Sequence, residues 1–526
     1  MKKAKNYITS LPADFTAAIV VFLVALPLCL GIALGSGAPL FSGIIGGIIG
    51  GVVIGFLSGA HLSVSGPAAG LTAIVAIAIG KLGVFEAFLA SVVICGFIQI
   101  ILGYLKAGVL GDYIPSSVIK GMLAAIGLIL ILKQIPHFVG YEGDFQGDET
   151  FEQKDGKNTF SELFYSLQHM LPAAIIIGLI SLFIQVLWDK VLVKKASIFK
   201  LIPSPVVVVL AGTGINAFLK INYPHLALGA THLVNIPIAQ TFFEFTSFFT
   251  FPDFSYLADF RVWTTGLTLA IVASLETLLN IEAADEVDPY KRVTPANREL
   301  KAQGAGNLIS GLLGGLPLTS VIVRTSANIN AGAKTKSATI MHGMFLFLCV
   351  SFIPGLLNLI PFASLAAILI YTGYKLTKIS IFREFYRKGW DQLLPFVITI
   401  LAILFTDLLI GILVGCSAGL FFLLRSNFKS AILVVNDGKH YLFRLRKDVS
   451  FLNKPIIKRR LEEVPEDAYV LIDAGRADFI DRDVVEVIED FMKHAHLKDI
   501  KVELKKNIYK EHGFSDFIPV MVLPKK

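Results

Sequence analysis

The chain has 526 residues, 54% of them hydrophobic and 17% charged, with a formal net charge of +7. A mean hydropathy of +0.69 excludes a soluble globular protein of this length and defines an integral membrane protein. The basic excess does not point to nucleic acid, because Lys and Arg are scattered between apolar segments, as the positive-inside rule expects.

The N-terminal Met1-Lys2-Lys3-Ala4-Lys5 is basic like a signal peptide. The apolar run after it is long, however, and no small-residue cleavage site precedes the next one, so it reads as a cytoplasmic tail. About fourteen apolar segments follow, most near the ~20 residues that cross a bilayer. Their cores lie at 15–34, 39–58, 67–80, 84–104, 115–132, 171–188, 203–219, 262–282, 303–315, 317–332, 338–359, 361–374, 391–407 and 408–425. The segments at 67–80 and 317–332 are too short to span alone and both open at a proline, which marks them as half-helices.

With the N-terminus inside, the connections after even-numbered segments face the cytoplasm and should be rich in Lys and Arg. They hold Lys106, then Lys190, Lys194, Lys195 and Lys200, then Lys291, Arg292, Arg298 and Lys301, then Lys334 and Lys336, then Lys375, Lys378, Arg383, Arg387 and Lys388. On the other side, the 137–162 loop carries Glu142, Asp144, Asp148, Glu149, Glu152, Asp155 and Glu162 against Lys154 and Lys157. Lys81 and Lys133 break the pattern but are outnumbered. Both chain ends are therefore expected in the cytoplasm, with the segments in the inner membrane.

Ser65-Gly66-Pro67 opens the first half-helix and Leu316-Pro317 the second; Ile114-Pro115 and Ile360-Pro361 open later segments at nearly the same offset. The spacing predicts a duplication, with repeats over about 10–220 and 260–425 and about seven segments in each. An odd number inserts the second copy upside down, so the fold class expected is an all-α polytopic inverted repeat. After Arg425 the composition changes. Residues 1–429 form the transmembrane domain; 430–526 are predicted as a cytoplasmic α/β domain, with strands at 431–435, 441–445, 469–473 and 500–504 and a helix burying Val484, Val485, Val487, Ile488, Phe491 and Met492.

The stretch from Gly314 to Ser326 places a Gly-Gly-x-Pro, two hydroxyls and Arg324 at membrane depth. A charge there faces a protein interior or a wet cavity, and a helix that starts there aims free N–H groups into it. Ser63, Ser65 and Ala68-Ala69-Gly70 at the first half-helix then face Thr319, Ser320 and Arg324 at the second, an arrangement suited to a small anion. Arg324 could alternatively pair with a carboxylate or reach a surface. Glu276, with Glu282 and Asp285 further along, is an intramembrane carboxylate that should bind a cation, carry a proton or pair with an arginine. Asn280 lies one turn from Glu276 on the same face. Coupling-ion binding and pairing with Arg324 both stay open for it.

No nucleophile elbow, Walker-type loop or clustered metal ligands occur. Cys29, Cys95, Cys349 and Cys416 each sit in an apolar segment without metal-type spacing and read as packing residues. His61, His137, His169 and His342 are isolated and read as structural. The expectation is a non-enzyme with no catalytic residue, resident metal or cofactor, drawing on an ion gradient or exchange.

Leu11-Pro12-Ala13-Asp14-Phe15 leading to Ala25-Leu26-Pro27, Ser63 to Ala69, the Glu276 helix, and Pro317 through Arg324-Thr325 to Gly332-Ala333-Lys334-Thr335 resemble the SulP family of inorganic anion transporters. The tail around Val470-Leu471-Ile472-Asp473 and Phe479-Ile480-Asp481 is similar to a STAS domain. The resemblance implies a homodimer with core and gate domains and an elevator-like transport of sulfate, bicarbonate or a related anion. It implies an anion site at Ala68, Ala69, Ser320 and Arg324, and a sodium ion or a proton-carrying carboxylate at Glu276. Two departures stand out. Leu28 and Cys29 replace the polar glutamine that many relatives carry after Pro27, and Asp481-Arg482-Asp483 replaces the serine of phosphorylated STAS proteins. The Val24-to-Gly31 version resembles bacterial members associated with carbonic anhydrases, which leans towards bicarbonate. The competing expectations are a nucleobase permease of similar architecture and a membrane-anchored sensor or scaffold acting through the STAS-like domain.

Overall fold

A computed structural model describes residues 2–143, 151–152, 156–195, 199, 202–239, 241–430 and 432–505. Asp144, Asp148, Glu149, Lys154, Asp155 and Lys200 of the loop pattern lie outside the described residues. The chain divides into two units, Met1–Ser417 and Ala418–Lys526.

The first half of the larger unit runs α1 (Lys2–Gly35), α2 (Leu40–Ile49), β1 (Ser65–Pro67), α3 (Thr72–Leu82), α4 (Phe85–Tyr104), α5 (Ser116–Val139), α6 (Thr159–Gln168), α7 (Pro172–Leu187) and α8 (Ser204–Asn222). The second runs α9 (Phe260–Val287), α10 (Ala296–Leu313), β2 (Leu318–Ser320), α11 (Ile322–Asn330), α12 (Ser337–Phe352), α13 (Phe362–Leu376), α14 (Ile379–Lys388), α15 (Trp390–Phe405) and α16 (Leu408–Ser430). The order of elements is the same in both halves, including a strand before each short third helix and a short extra helix before the sixth segment.

Packing exchanges the halves. Helix α4 packs on α9 and α10, just as its counterpart α12 packs on α1 and α2, while α5 and α13 pack on each other. Apolar side chains give no hydrophobic drive between helices in lipid, so close approach of small residues sets these crossings. A Cβ on Gly96 of α4 would fall 2.5 Å from the Gly304 carbonyl oxygen of α10, and one on Gly51 would fall 2.6 Å from the Gly343 Cα of α12. A Cβ on Gly373 of α13 would fall 2.6 Å from the Gly127 carbonyl of α5. The first two contacts are images of one another under the exchange, and the third maps onto itself. Burial follows: 89% of the most apolar window of Ser10–Gly35 is buried inside the protein, against 22% for Pro172–Lys195. Helix α1 is central and α7 lies at the periphery.

The half-helices differ from the sequence expectation in where they start. Each follows an extended segment instead of opening at its proline, because the antiparallel pairing of β1 with β2 holds the chain extended there; proline itself is favoured at a first helical position, as Pro172 of α7 shows. Pro67 is the last residue of β1 while Pro317 precedes β2, so these two prolines are not equivalent. Pro115 and Pro361 are, as the residues capping the starts of α5 and α13.

In the smaller unit β3 (Ile432–Asp437), β4 (His440–Val449), α17 (Lys454–Glu462), β5 (Tyr469–Ile480), α18 (Arg482–His494) and β6 (Lys501–Lys505) form one layer of sheet and two helices. The sheet order is β3-β4-β5-β6, antiparallel across the Gly438-Lys439 turn and parallel thereafter. Gly438 at φ 60° supplies the left-handed residue such a tight turn needs. Helix α18 is capped by the Asp481 side chain accepting from Asp483 N–H, and it buries Val484, Val485 and Ile488. Helix α17 was not legible in the sequence, since Ile457 and Leu461 are its only buried residues.

Candidate functional site

The two strands meet at the centre of the larger unit as an antiparallel pair, with Ser65 opposite Ser320, Gly66 opposite Thr319 and Pro67 opposite Leu318. Three residues cannot satisfy their own backbone, and buried amides must find partners. Helix α10 supplies them on one side: Asn307 Nδ2 donates to Leu318 O at 2.9 Å, and Leu318 N–H donates to Asn307 Oδ1 at 2.5 Å. Helix α9 supplies the other, through Asn280 Nδ2 to Ser320 O at 2.6 Å and Ser320 N–H to Thr277 Oγ1 at 3.4 Å. Ser63 and Ser320 share a hydrogen bond at 2.6 Å between their hydroxyls, and Gln303 Nε2 donates to Ser65 Oγ at 2.6 Å. The hydroxyls expected to face a ligand are thus part of the frame as well.

Arg324 is the third residue of α11 and is fully buried. Its Nη2 donates to Pro67 O across the crossing at 3.2 Å. Nε and Nη1 are buried with no hydrogen-bond partner, so these donors are not spent on a carboxylate, and the plain-pairing reading loses its support. The Cys29 thiol lies beside the guanidinium, which brings α1 to the site through a residue the sequence marked as a departure. Ser326 Oγ, Asn328 Oδ1 and both ring nitrogens of His342 on α12 are likewise buried without partners. Native proteins leave few such atoms. Several of them fall on α11 and α12, with others elsewhere in the chain, among them Thr72 Oγ1, Gln134 Oε1 and Gln185 Oε1.

Ala68 caps the single turn Ala69–Leu71 that leads into α3. A Cβ on Gly70 would lie 3.1 Å from Glu276 Oε1, so the buried Glu276 carboxylate rests against the positive end of α3, where an acidic group is favoured. One turn on, Asn280 Oδ1 is buried without a partner. The crossing therefore has two poles: a cationic one at Arg324 and α11, and an oxygen-rich one at Glu276, Asn280 and α3. All eight residues singled out from the sequence, Ser65, Ala68, Ala69, Thr319, Ser320, Arg324, Glu276 and Asn280, fall on these elements.

Sequence reasoning missed the scaffold. Glu299, Gln303, Asn307 and Ser310 lie along one face of α10, and each is fully buried. Glu299 accepts from Ser58 Oγ and from Gln303 Nε2, and Ser310 Oγ donates to Leu316 O at 2.7 Å. Their spacing of four, four and three was the available signal: a polar stripe at helical period inside an apolar segment. Two motifs quoted for the resemblance also meet, since Asp14 Oδ1 accepts from Lys334 and Thr335 N–H at 2.7 and 3.0 Å.

A buried cation where two strand-and-half-helix units of an inverted repeat cross defines a class of multi-pass membrane protein with its ligand-competent groups buried at the crossing. Within that class the chain belongs to the sulfate permease family, which residues 11–400 match, and residues 431–507 match the STAS domain. It is 24% identical over 422 residues to the bicarbonate transporter BicA of Picosynechococcus, covering 78% of this chain and 70% of that protein. It is 25% identical over 525 residues to the sodium-independent sulfate anion transporter of Bos taurus, covering 92% and 82%. The solved structure of SLC26A9 shares the fold, with a TM-score of 0.67 at 17% identity over 95% of this chain and 84% of that one.

Proposed function

We propose that the protein is a secondary transporter, and not an enzyme, that carries a small inorganic anion of the sulfate or bicarbonate class across the inner membrane. The observation that carries this reading is Arg324: a fully buried guanidinium with two unpartnered donors at the start of a half-helix. Relatives named for bicarbonate and for sulfate transport support the substrate class. In this reading Arg324, the first N–H groups of α11, and Ser65, Ala68, Ala69, Thr319 and Ser320 surround the anion. Glu276 and Asn280 Oδ1 hold a sodium ion or a proton. The exchange-packed halves alternate in an elevator-like movement, with both chain ends cytoplasmic. Homodimer assembly and a functional link to a carbonic anhydrase belong to the same reading; mass measurement of the solubilised protein and co-purification test them.

The experiment is flux in liposomes with sulfate, bicarbonate, chloride and dicarboxylates, with and without sodium and proton gradients. Saturable flux of at least one inorganic anion supports the reading. Uptake of uracil or xanthine with indifference to these anions, or no flux of any solute, overturns it. Glu276→Gln is expected to abolish dependence on the gradient while leaving downhill exchange; undiminished gradient-driven uptake removes Glu276 from coupling.

A further inference from the structure

A cavity of about 390 Å³ opens beside the last turn of α11, between α1, α7, α8 and α13. Its walls are the ends of those helices that the basic loops assign to the cytoplasm, from Thr16 on α1 to Asn330 on α11. Among the described residues that line it, the charged side chains are Asp189 and Lys375. An anion leaving Arg324 by this route passes the C-terminal carbonyls of α11, the negative end of that helix, and among the described lining residues the cation it meets is Lys375.

Asp189 is held as a bound oxyanion would be. Lys375 Nζ lies 2.6 Å from Oδ2, Ser204 Oγ donates to Oδ1 at 2.8 Å, and the Tyr371 hydroxyl lies alongside. Ser204 is the first residue of α8, so the positive end of that helix faces the same carboxylate. Lys375 is further steadied over the Tyr371 ring, 4.5 Å from its centroid. These donors come from α8 and α13, and the carboxylate comes from the turn Trp188–Leu192 that extends α7.

We propose that Lys375, Ser204 and Tyr371 form a second anion station, on the cytoplasmic side, and that the Asp189 carboxylate is its tethered occupant. An incoming small oxyanion displaces Asp189 and is released again because Asp189 competes for the same donors. A conduction route needs such sites to be weak. The proposal rests on the transport reading for its purpose, but binding alone reads it.

The test is a titration of the full-length protein in detergent with sodium sulfate, against sodium chloride at equal ionic strength. It is followed by the fluorescence of Trp188, which lines the cavity, with Trp188→Phe as the assignment control. Asp189→Asn is expected to lower the half-saturating sulfate concentration by about fivefold, the scale of one partly exposed charge pair. Lys375→Gln is expected to remove the saturable response. If the pair only ties helices together, Asp189→Asn binds sulfate no more tightly than wild type, and that result overturns the proposal. A gain of affinity cannot come from a variant that fails to fold. Absence of wild-type flux in liposomes would count against the transport reading and leave this binding result intact.

Discussion

Arg324 keeps its place because Gly66 has no side chain: a Cβ there would fall 2.0 Å from Nη1. The clashing atom is the tip of a flexible side chain and not backbone, so the protein can relieve the overlap by moving the guanidinium. Gly66→Ala is therefore expected to leave thermal stability within about 1 kcal/mol of wild type, as for substitutions whose strain is relieved locally. Its anion affinity is expected to fall about tenfold, the loss of one charge-assisted hydrogen bond. Melting curves and anion titration on the same preparation check both halves. Lost stability with retained affinity would mean that the overlap is borne by the strands and that Arg324 is not the contact. Gly70 lets Glu276 approach more loosely: a Cβ there would meet its carboxylate at 3.1 Å, a tight contact and not an overlap.

The half-helices were legible from segment length and the placement of proline, and so was the residue set at their crossing. The strands that precede them were not, because an X-Pro step forbids helix without naming what replaces it. The polar stripe on α10 was legible in principle, but Asn297, Arg298 and Lys301 elsewhere on the helix blurred it. The tie between Asp14 and residues 334–335 spans some 320 positions, which no local pattern reports. A similar long-range tie closes the far end of α5. Gly140 ends that helix at φ 89°, and Glu142 turns back onto His137 at 2.5 Å and towards His232 at 3.9 Å. His232 adjoins Leu233, which bridges to Pro361 at the start of α13. Burial by itself would raise the Glu142 carboxyl, but His137 and His232 outweigh it and hold it below its ordinary 4.5. A depressed carboxyl contributes stability above its unfolded value and loses it as pH falls through the folded one. Thermal melts are thus expected to separate wild type from Glu142→Gln at neutral pH and to converge below about 4.5. A constant gap across that range would show that the carboxylate charge contributes nothing.

At the scale of the whole molecule, α4 pairs with α9 and α10 as α12 pairs with α1 and α2, so each half is completed by helices of the other. The smaller unit keeps its own core, built on Phe443, Val470, Ile472 and Val484 among others, so the transmembrane unit does not depend on it for a hydrophobic interior. The proposed function has an inorganic anion cross the membrane by way of Arg324. Uptake of sulfate and of bicarbonate into liposomes holding equal amounts of wild-type protein or Arg324→Ala tests it most directly. Wild type is expected to show saturable uptake of at least one anion, and the variant a reduction of tenfold or more, as the loss of a buried charged donor requires. Equal uptake by the two proteins would contradict it.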